Sequence, residues 1–526
     1  VSIGSVDRLI ENGTQLVNQA VPLPMDAKGV RDLVITQAGL PPEVTAHLDF
    51  AGPSAAVFIA VGDKGESGTV LAVPARGPAE AQKVIEALGK PVMTRGQVTL
   101  VRSPANGSGW LTRVGNVVVL SDELEALSRG ANLALEARHP GPEDVTATIY
   151  PEAIARAHGT DVKTGIARLL EGAKAAQTQP GGAAMVDDQA LESAAKMLGL
   201  VGDAGSIELG LLPDPARGLL LRARFLAREG THLATIARDV KPFELDAGVT
   251  GGPGTRFLVG SSSLGPFFQE LFQTYRTQIA ADKQKGAAAA LAYFDATLAA
   301  MTGSQTGVVW LGKETPYLAA LFSSPLKDAA ASAKVASSLA AMDAAAAGAL
   351  LRAQLGKTEL FDWTAKRETI GKVKALHYRV KLKKTGAAQG ETLARVLGPS
   401  FDVYWAVVRD RILVALGKDA KTRVSAVASG KAAEHIGGAL GAAQAAANGR
   451  DAFYYFDLAP VLTLVGALGQ DPRAAALARG ATAPIPVVVT AGGDGAGKVY
   501  SADLTVTLAA FSAIGALVAG SMSMAK

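Results

Sequence analysis

Trp110-Leu-Thr-Arg-Val114, Gly115-Asn116, Val117-Val-Val-Leu120 is an apolar run, a Gly-Asn pair and a second apolar run. That is the pattern of a β-hairpin with a tight two-residue turn. Ser121-Asp122 then opens a helical spacing through Leu124 and Leu127, and Gly130 stands where a helix C-cap is expected. The same order returns later in the chain. Tyr404-Trp405-Ala-Val-Val408, Arg409-Asp410 and Arg411-Ile-Leu-Val-Ala415 form the hairpin, and a helix follows from Asp419 through Val424 and Val427 to Gly430. This reading puts Trp110 and Trp405 at the same place in each hairpin.

Working outward, further segments match in the same order. Val1-Ser-Ile-Gly-Ser5 before a helical pattern answers Phe257-Leu-Val-Gly-Ser261. The hairpin of Ala56–Ala60 and Thr69–Val73, followed by a helix opened by Pro78, answers Gly307–Leu311, Tyr317–Phe322 and a helix after Pro325. Asp144–Tyr150 answers Asp451–Phe456. Each run closes with a hairpin and a helix. The first is Ile207–Leu212, Leu219–Leu226 and Glu229–Arg238; the second is Ile485–Thr490, Val499–Leu508 and Ala509–Ala519. The first copy carries an extra helical pair between Thr160 and Leu200, the second an Ala-rich helix around Ala280–Met301. Five matched pairs in one order predict an α+β chain built as two tandem copies. Each copy is a mainly antiparallel sheet module with helices packed on one face. The glycines around Gly248–Gly254 place the boundary, giving modules 1–247 and 248–526.

Leu504–Ala525 carries no charge and is long enough to be weighed as a membrane span. Its first part alternates in strand fashion, and the matching segment of the first copy holds Arg228, Glu229 and Arg238. The expectation is therefore no transmembrane helix.

Composition limits the chemistry. The 526 residues contain no cysteine, so disulfides, thiolate metal sites and cysteine nucleophiles are excluded. A formal net charge of +4 is small for this length and argues against a surface devoted to nucleic acid. Val1 in place of Met is the mark expected of a processed or missing leader, and the lack of cysteine fits an oxidising compartment.

Motifs for catalysis are fragmentary. Gly492-Gly-Asp-Gly-Ala-Gly497-Lys498-Val499 approaches a phosphate loop but lacks its hydroxyl and leads into a strand, so it reads as a hairpin turn. Ser324-Pro-Leu-Lys327 and Ser193-Ala-Ala-Lys196 have the S-x-x-K spacing, and Lys384-Thr385-Gly386 and Lys163-Thr164-Gly165 read K-T-G. The middle motif of a penicillin-recognising enzyme is missing. His47, His139, His158, His232, His377 and His435 show no metal-ligand spacing. No cofactor is expected. One charge feature stands out. Eight Lys or Arg and one acid, Glu368, lie between Lys366 and Lys384, where His377, Arg379, Lys381 and Lys383 alternate with apolar residues. These four residues are the candidate face for an anionic lipid or polymer, or else a solvated strand face.

The strand–helix pattern of Val1–Leu9 with Phe257–Phe272, and of Gly109–Gly130 with Ser400–Gly430, resembles uncharacterised secreted or lipoprotein-type bacterial envelope proteins. The resemblance implies a periplasmic or cell-surface location and carries no activity. The leading expectation is a non-enzymatic envelope protein, a scaffold or subunit of a larger assembly with a protein partner. A carrier of a lipid or other apolar ligand and a hydrolase with a site assembled in space stay open beside it.

Overall fold

The computed structural model describes residues 1–20, 26–37, 40–61, 66–103, 107–138, 142–177, 199–250, 255–263, 265–283, 285–312, 317–355, 361–383, 394–430, 437–467, 476–477 and 483–522. The fold is α+β, and every strand pairing with a described register is antiparallel.

The first run of strands is β1 (Ser2–Ile3), β2 (Ser54–Val61), β3 (Glu66–Pro74), β4 (Lys90–Arg95), β5 (Val98–Ser103), β6 (Gly107–Val114), β7 (Val117–Ser121), β8 (Val145–Ile149), β9 (Ala204–Asp214) and β10 (Gly218–Ala227). They pair in the order β4-β5-β6-β7-β3-β2-β1-β8-β9-β10. The second run is β11 (Thr255–Ser262), β12 (Gln305–Leu311), β13 (Leu318–Pro325), β14 (Phe361–Ile370), β15 (Val373–Leu382), β16 (Ser400–Val408), β17 (Arg411–Leu416), β18 (Ala452–Asp457), β19 (Pro486–Gly493) and β20 (Val499–Thr507). They pair as β14-β15-β16-β17-β13-β12-β11-β18-β19-β20, the same order strand for strand.

Pairing registers sharpen the matches between the runs. Both central hairpins have two-residue turns, closed by Val114 opposite Val117 and by Val408 opposite Arg411. Counted from the turn, Trp110 falls level with Tyr404, and Trp405 falls level with Leu111. The two tryptophans are therefore one residue out of step. A one-residue slip in a strand reverses the face, so Trp110 and Trp405 point to opposite sides of their sheets. Carrying the register across the sheet places Asp144 level with Asp451, as the sequence suggests. It places Ser2 level with Ser261, whereas the Gly-Ser match in the sequence aligns Ser5 there.

Helices cover both faces, not one. Alternate residues of β7 show why. Val117 and Val119 pack with Ala126 and Leu127 of the helix Leu124–Glu136, while Val118 packs on the other face with Ala81 and Val84 of the helix Pro78–Leu88. Val118 and Val119 are both fully buried, and each burial contributes about 1.5–3 kcal/mol relative to an exposed valine. In the second run, Tyr404, Ala406 and Val408 pack against Val424 and Val427, and Trp405 points the opposite way into a separate core. An antiparallel sheet can leave one face in water, but here apolar residues occupy both sides of the central strands.

Gly430 ends its helix in the left-handed region at φ 73°, as a C-cap does. Gly130 does not. Its helix continues to Glu136, and a Cβ on Gly130 would lie 2.8 Å from Val70 and 2.9 Å from Ile59. This glycine lets the helix approach the sheet.

Eleven helices matter below: α1 (Val6–Ala20), α2 (Ala27–Gln37), α3 (Pro78–Leu88), α4 (Leu124–Glu136), α5 (His232–Arg238), α6 (Gly265–Ala281), α7 (Ala287–Ala300), α8 (Ala329–Ala341), α9 (Ala344–Leu355), α10 (Ala420–Ser429) and α11 (Leu508–Met522). Thr231 caps α5, its hydroxyl accepting from the Ala234 N–H. The uncharged C-terminal stretch begins as the end of β20 and continues as the helix Leu508–Met522, and among the described residues no helix is long and apolar enough to cross a membrane.

The chain packs as two compact units. The first is built on Val1–Thr178, Met197–Arg228 and Asp503–Lys526, and the second on Glu229–Ala502. The boundary expected at 247/248 divides repeated segments, whereas the compact units change over at Arg228/Glu229 and at Ala502/Asp503. The closing helix of each run belongs to the unit formed by the other.

Candidate functional site

β15 holds the four residues singled out by charge. It lies between β14 and β16, so its polar face is set by both neighbours. Lys366 and Tyr404 stand opposite His377, Thr364 and Asp402 opposite Arg379, and Asp362 and Ser400 opposite Lys381. Arg379 and Lys381 are exposed, as is Lys383 just beyond the strand, but His377 is buried. Its ring stacks on Tyr404 with centroids 4.3 Å apart. Nε2 lies 2.8 Å from the Asp402 carboxylate, and Nδ1 lies 3.3 Å from Glu368. His377 thus belongs to a packed polar cluster and is withdrawn from the outer face.

The carboxylates answer the cations. Lys383 is 3.2 Å from Asp362, Lys366 is 3.6 Å from Glu368 and Arg379 is 4.0 Å from Asp402. Lys421 on α10 also donates to Glu368, and this hydrogen bond holds the Glu368 carboxyl below its ordinary range despite some opposing burial. Burial pushes the Tyr404 phenol up to about 12, and the neighbouring Glu368 and Asp402 charges add to the effect. The cationic strand is a mixed-charge face once folded. Asp362 and Asp402 escaped the sequence reading because they lie outside the basic window and are brought in by register alone.

A second site was not visible in the sequence. In the first unit, α3 crosses β4, β5 and β6 above a groove of about 590 Å³. Ile85, Pro91 and Leu111 give it apolar ground, and Gln82, Glu86, Thr99 and Arg113 give it hydrogen-bonding groups of both kinds. The Arg113 guanidinium is fixed by donating to the Pro78 carbonyl at 2.8 Å. β4 forms the edge. All six of its residues are exposed, including Val92 and Met93. Lys90, Pro91 and an irregular step between Pro91 and Met93 break the regularity of that edge, features that discourage open-ended strand pairing.

The corresponding face of the second run is filled. Leu376, Tyr378, Val380 and Trp405 on β15 and β16 are sealed under α7, α8 and α9. Tyr293 of α7 stacks on Trp405 at 6.1 Å, and burial pushes the Tyr293 phenol up to about 12. The Ala-rich α7 was expected from sequence. It follows α6 as α2 follows α1, and α9 was not expected at all. Small alanines let these helices approach the aromatic sheet surface, where Ala290, Ala346, Ala347 and Ala349 are fully buried. By contrast α2 buries no residue and exposes Leu33 and Val34.

The remaining motifs have structural places. Lys327 donates to the Ala299 carbonyl at 2.8 Å. Thr164 bonds Asp161 at the start of a helix. Gly492–Val499 is a hairpin turn in which Asp494 accepts from the Ala496 and Lys498 N–H groups. Ser193, Lys196, His139, His435 and Lys384–Gly386 lie outside the described residues. Among the described residues, no group of three or more His, Asp or Glu is placed to hold a metal ion. Comparison of the chain with protein-family models, with curated proteins and with solved structures gave no match.

Proposed function

We propose that the chain is a non-enzymatic binding subunit of an extracytoplasmic assembly, built by tandem duplication, whose first unit receives a segment of a protein partner in the α3–β6 groove. The observation that carries the reading is the contrast between runs. One sheet face is covered by three helices of the same chain, and the corresponding face is left as a lined groove beside an exposed edge strand. Unequal covering of two otherwise matched sheets is what specialisation after duplication would leave. The identical pairing order and the closing registers support the duplication. The absence of cysteine and the resemblance in strand–helix pattern support an envelope location.

The groove favours a peptide over a lipid because polar side chains outnumber apolar ones in its lining. The face of Arg379, Lys381 and Lys383 is a weaker candidate because carboxylates are interleaved with its cations.

A photo-reactive amino acid placed at Gln82 or Thr99, and separately at Lys381, tests the reading in cells that make the protein. The groove positions should cross-link one discrete protein, and Lys381 should not. A lipid adduct from the groove would favour the carrier reading. No product from the groove, or the same product from Lys381, would count against this site.

A further inference from the structure

The two closing helices sit in reciprocal places. α5 follows β10, the last strand of the first run, yet belongs to the second unit. There its backbone meets the β19–β20 turn. The Ala237 carbonyl accepts from the Gly495 N–H at 3.0 Å, and a Cβ on Gly493 would lie 2.2 Å from that same oxygen. α11 follows β20, the last strand of the second run, and belongs to the first unit. There the Leu508 N–H donates to the Arg217 carbonyl at 3.1 Å, and a Cβ on Gly218 would lie 2.1 Å from the Val506 carbonyl oxygen. α11 then packs on α1, where the Ser512 hydroxyl reaches the Gln19 carbonyl at 3.4 Å. In each case a glycine in the turn of the closing hairpin makes room for the segment that closes the other run.

We infer that the chain fastens itself by exchanging its closing helices, so that the partner surface formed by α1 and the β9–β10 turn is specific for α11, and the β19–β20 turn is specific for α5. This goes beyond the groove reading and does not depend on it. Neither unit completes its packing from one contiguous half of the sequence. The kind of partner that fits α1 and the β9–β10 turn is the closing segment of a second copy of the module. In this chain the duplication supplies that copy covalently.

The test is a crossed hydrogen-exchange measurement on the full-length chain. Gly218→Ala is strained at φ 114° and crowds the start of α11. It should speed exchange in α11 and α1 and leave α5 unchanged. Gly493→Ala should speed exchange in α5 and leave α11 and α1 unchanged. The inference is overturned if Gly493→Ala loosens α11 as much as α5, or if neither variant loosens its own helix. A second measurement uses a protease site placed at residues 251–254 of the intact chain. After cleavage the two pieces should elute together, and the Gly218→Ala pieces should separate more readily under mild urea. Separation of the unsubstituted pieces in native buffer, or equal retention in both proteins, would also overturn the inference.

Discussion

The Arg222 guanidinium lies 2.7 Å from the Asp503 carboxylate, 281 residues further along the chain and within the same compact unit. Arg222 also reaches Glu143 at 3.0 Å, and Arg224 reaches the same carboxylate at 3.2 Å. Glu143 is 3% exposed at its side chain, and both arginines face its carboxylate. The hydrogen bond to Asp503 is the main influence raising the Arg222 pKa. β10 is thereby tied both to the segment before β8 and to the chain's C-terminal segment.

Arg222→Met should therefore cost far more than a surface ion pair. Breaking a buried pair leaves an uncompensated charge and costs about 3–5 kcal/mol. Because Arg222 keeps a quarter of its side chain in solvent, the lower end of that range is expected. Urea unfolding of Arg222→Met, Asp503→Asn and the double variant should show coupling, with the double loss smaller than the sum. Additive losses would mean that the two groups do not act as a pair.

Asp144 and Asp451 are level in the two runs, yet their surroundings differ. Asp144 is bonded by Arg8 and Asn12. Asp451 is 2% exposed, its Oδ2 accepts from the Gly493 N–H at 3.2 Å, and Oδ1 has no hydrogen-bond partner among the described residues. Burial pushes its pKa up to about 6, partly opposed by the Gly493 bond and by Arg450. A raised carboxyl pKa means that the folded state holds a proton the unfolded state has lost between about pH 4 and pH 6. Stability from this group therefore falls as pH rises through that window. Asp451→Asn should stabilise the protein at pH 8, by an amount on the order of 2 kcal/mol, and the gain should vanish below about pH 4. Asp144→Asn should instead lose stability by weakening the hydrogen bonds from Arg8 and Asn12. Thermal unfolding at a series of pH values distinguishes the two.

Gly130 and Gly430 look alike in the sequence, each following a helical run. Gly430→Ala meets a left-handed backbone and should cost about 1 kcal/mol. Gly130→Ala must push Val70 and Ile59 aside in a packed core, which costs about 1–3 kcal/mol despite the better helix propensity of alanine. Denaturant midpoints should rank Gly130→Ala as the more damaging of the two. The opposite ranking would mean that the α4–sheet contact is loose.

These cases show where legibility ended. Hairpins and turn positions were readable because apolar runs and Gly, Asn or Pro punctuation are local. The face reached by each residue was less secure. Trp110 and Trp405 share a chemical type and a neighbourhood, but a slip of one residue turns them to opposite faces of their sheets. The basic strand was readable as a strand, and its carboxylate neighbours were not. Asp362 and Asp402 oppose it only through pairing. The groove left no local signal at all, since it depends on α3 alone lying over the lining residues where α7, α8 and α9 seal the corresponding face of the second run.

The β15 face gives the last prediction. If Arg379, Lys381 and Lys383 mainly face water and interleaved carboxylates, replacing all three by Gln should change little. Exposed ion pairs contribute about 0–1 kcal/mol each and are screened by salt. The triple variant should unfold within about 1 kcal/mol of the parent protein, and the difference should shrink at high ionic strength. His377→Ala is the contrasting change. It removes a ring stacked on Tyr404 and leaves Asp402 and Glu368 without the nitrogen atoms between them. That substitution should cost about 1.5–3 kcal/mol, in the range for losing a hydrogen bond to a charged group. Sedimentation of the triple variant with vesicles rich in anionic lipid completes the test. Binding by the parent protein that is lost in the triple variant would restore this face as a functional surface, and equal sedimentation of the two would leave the groove as the site to pursue.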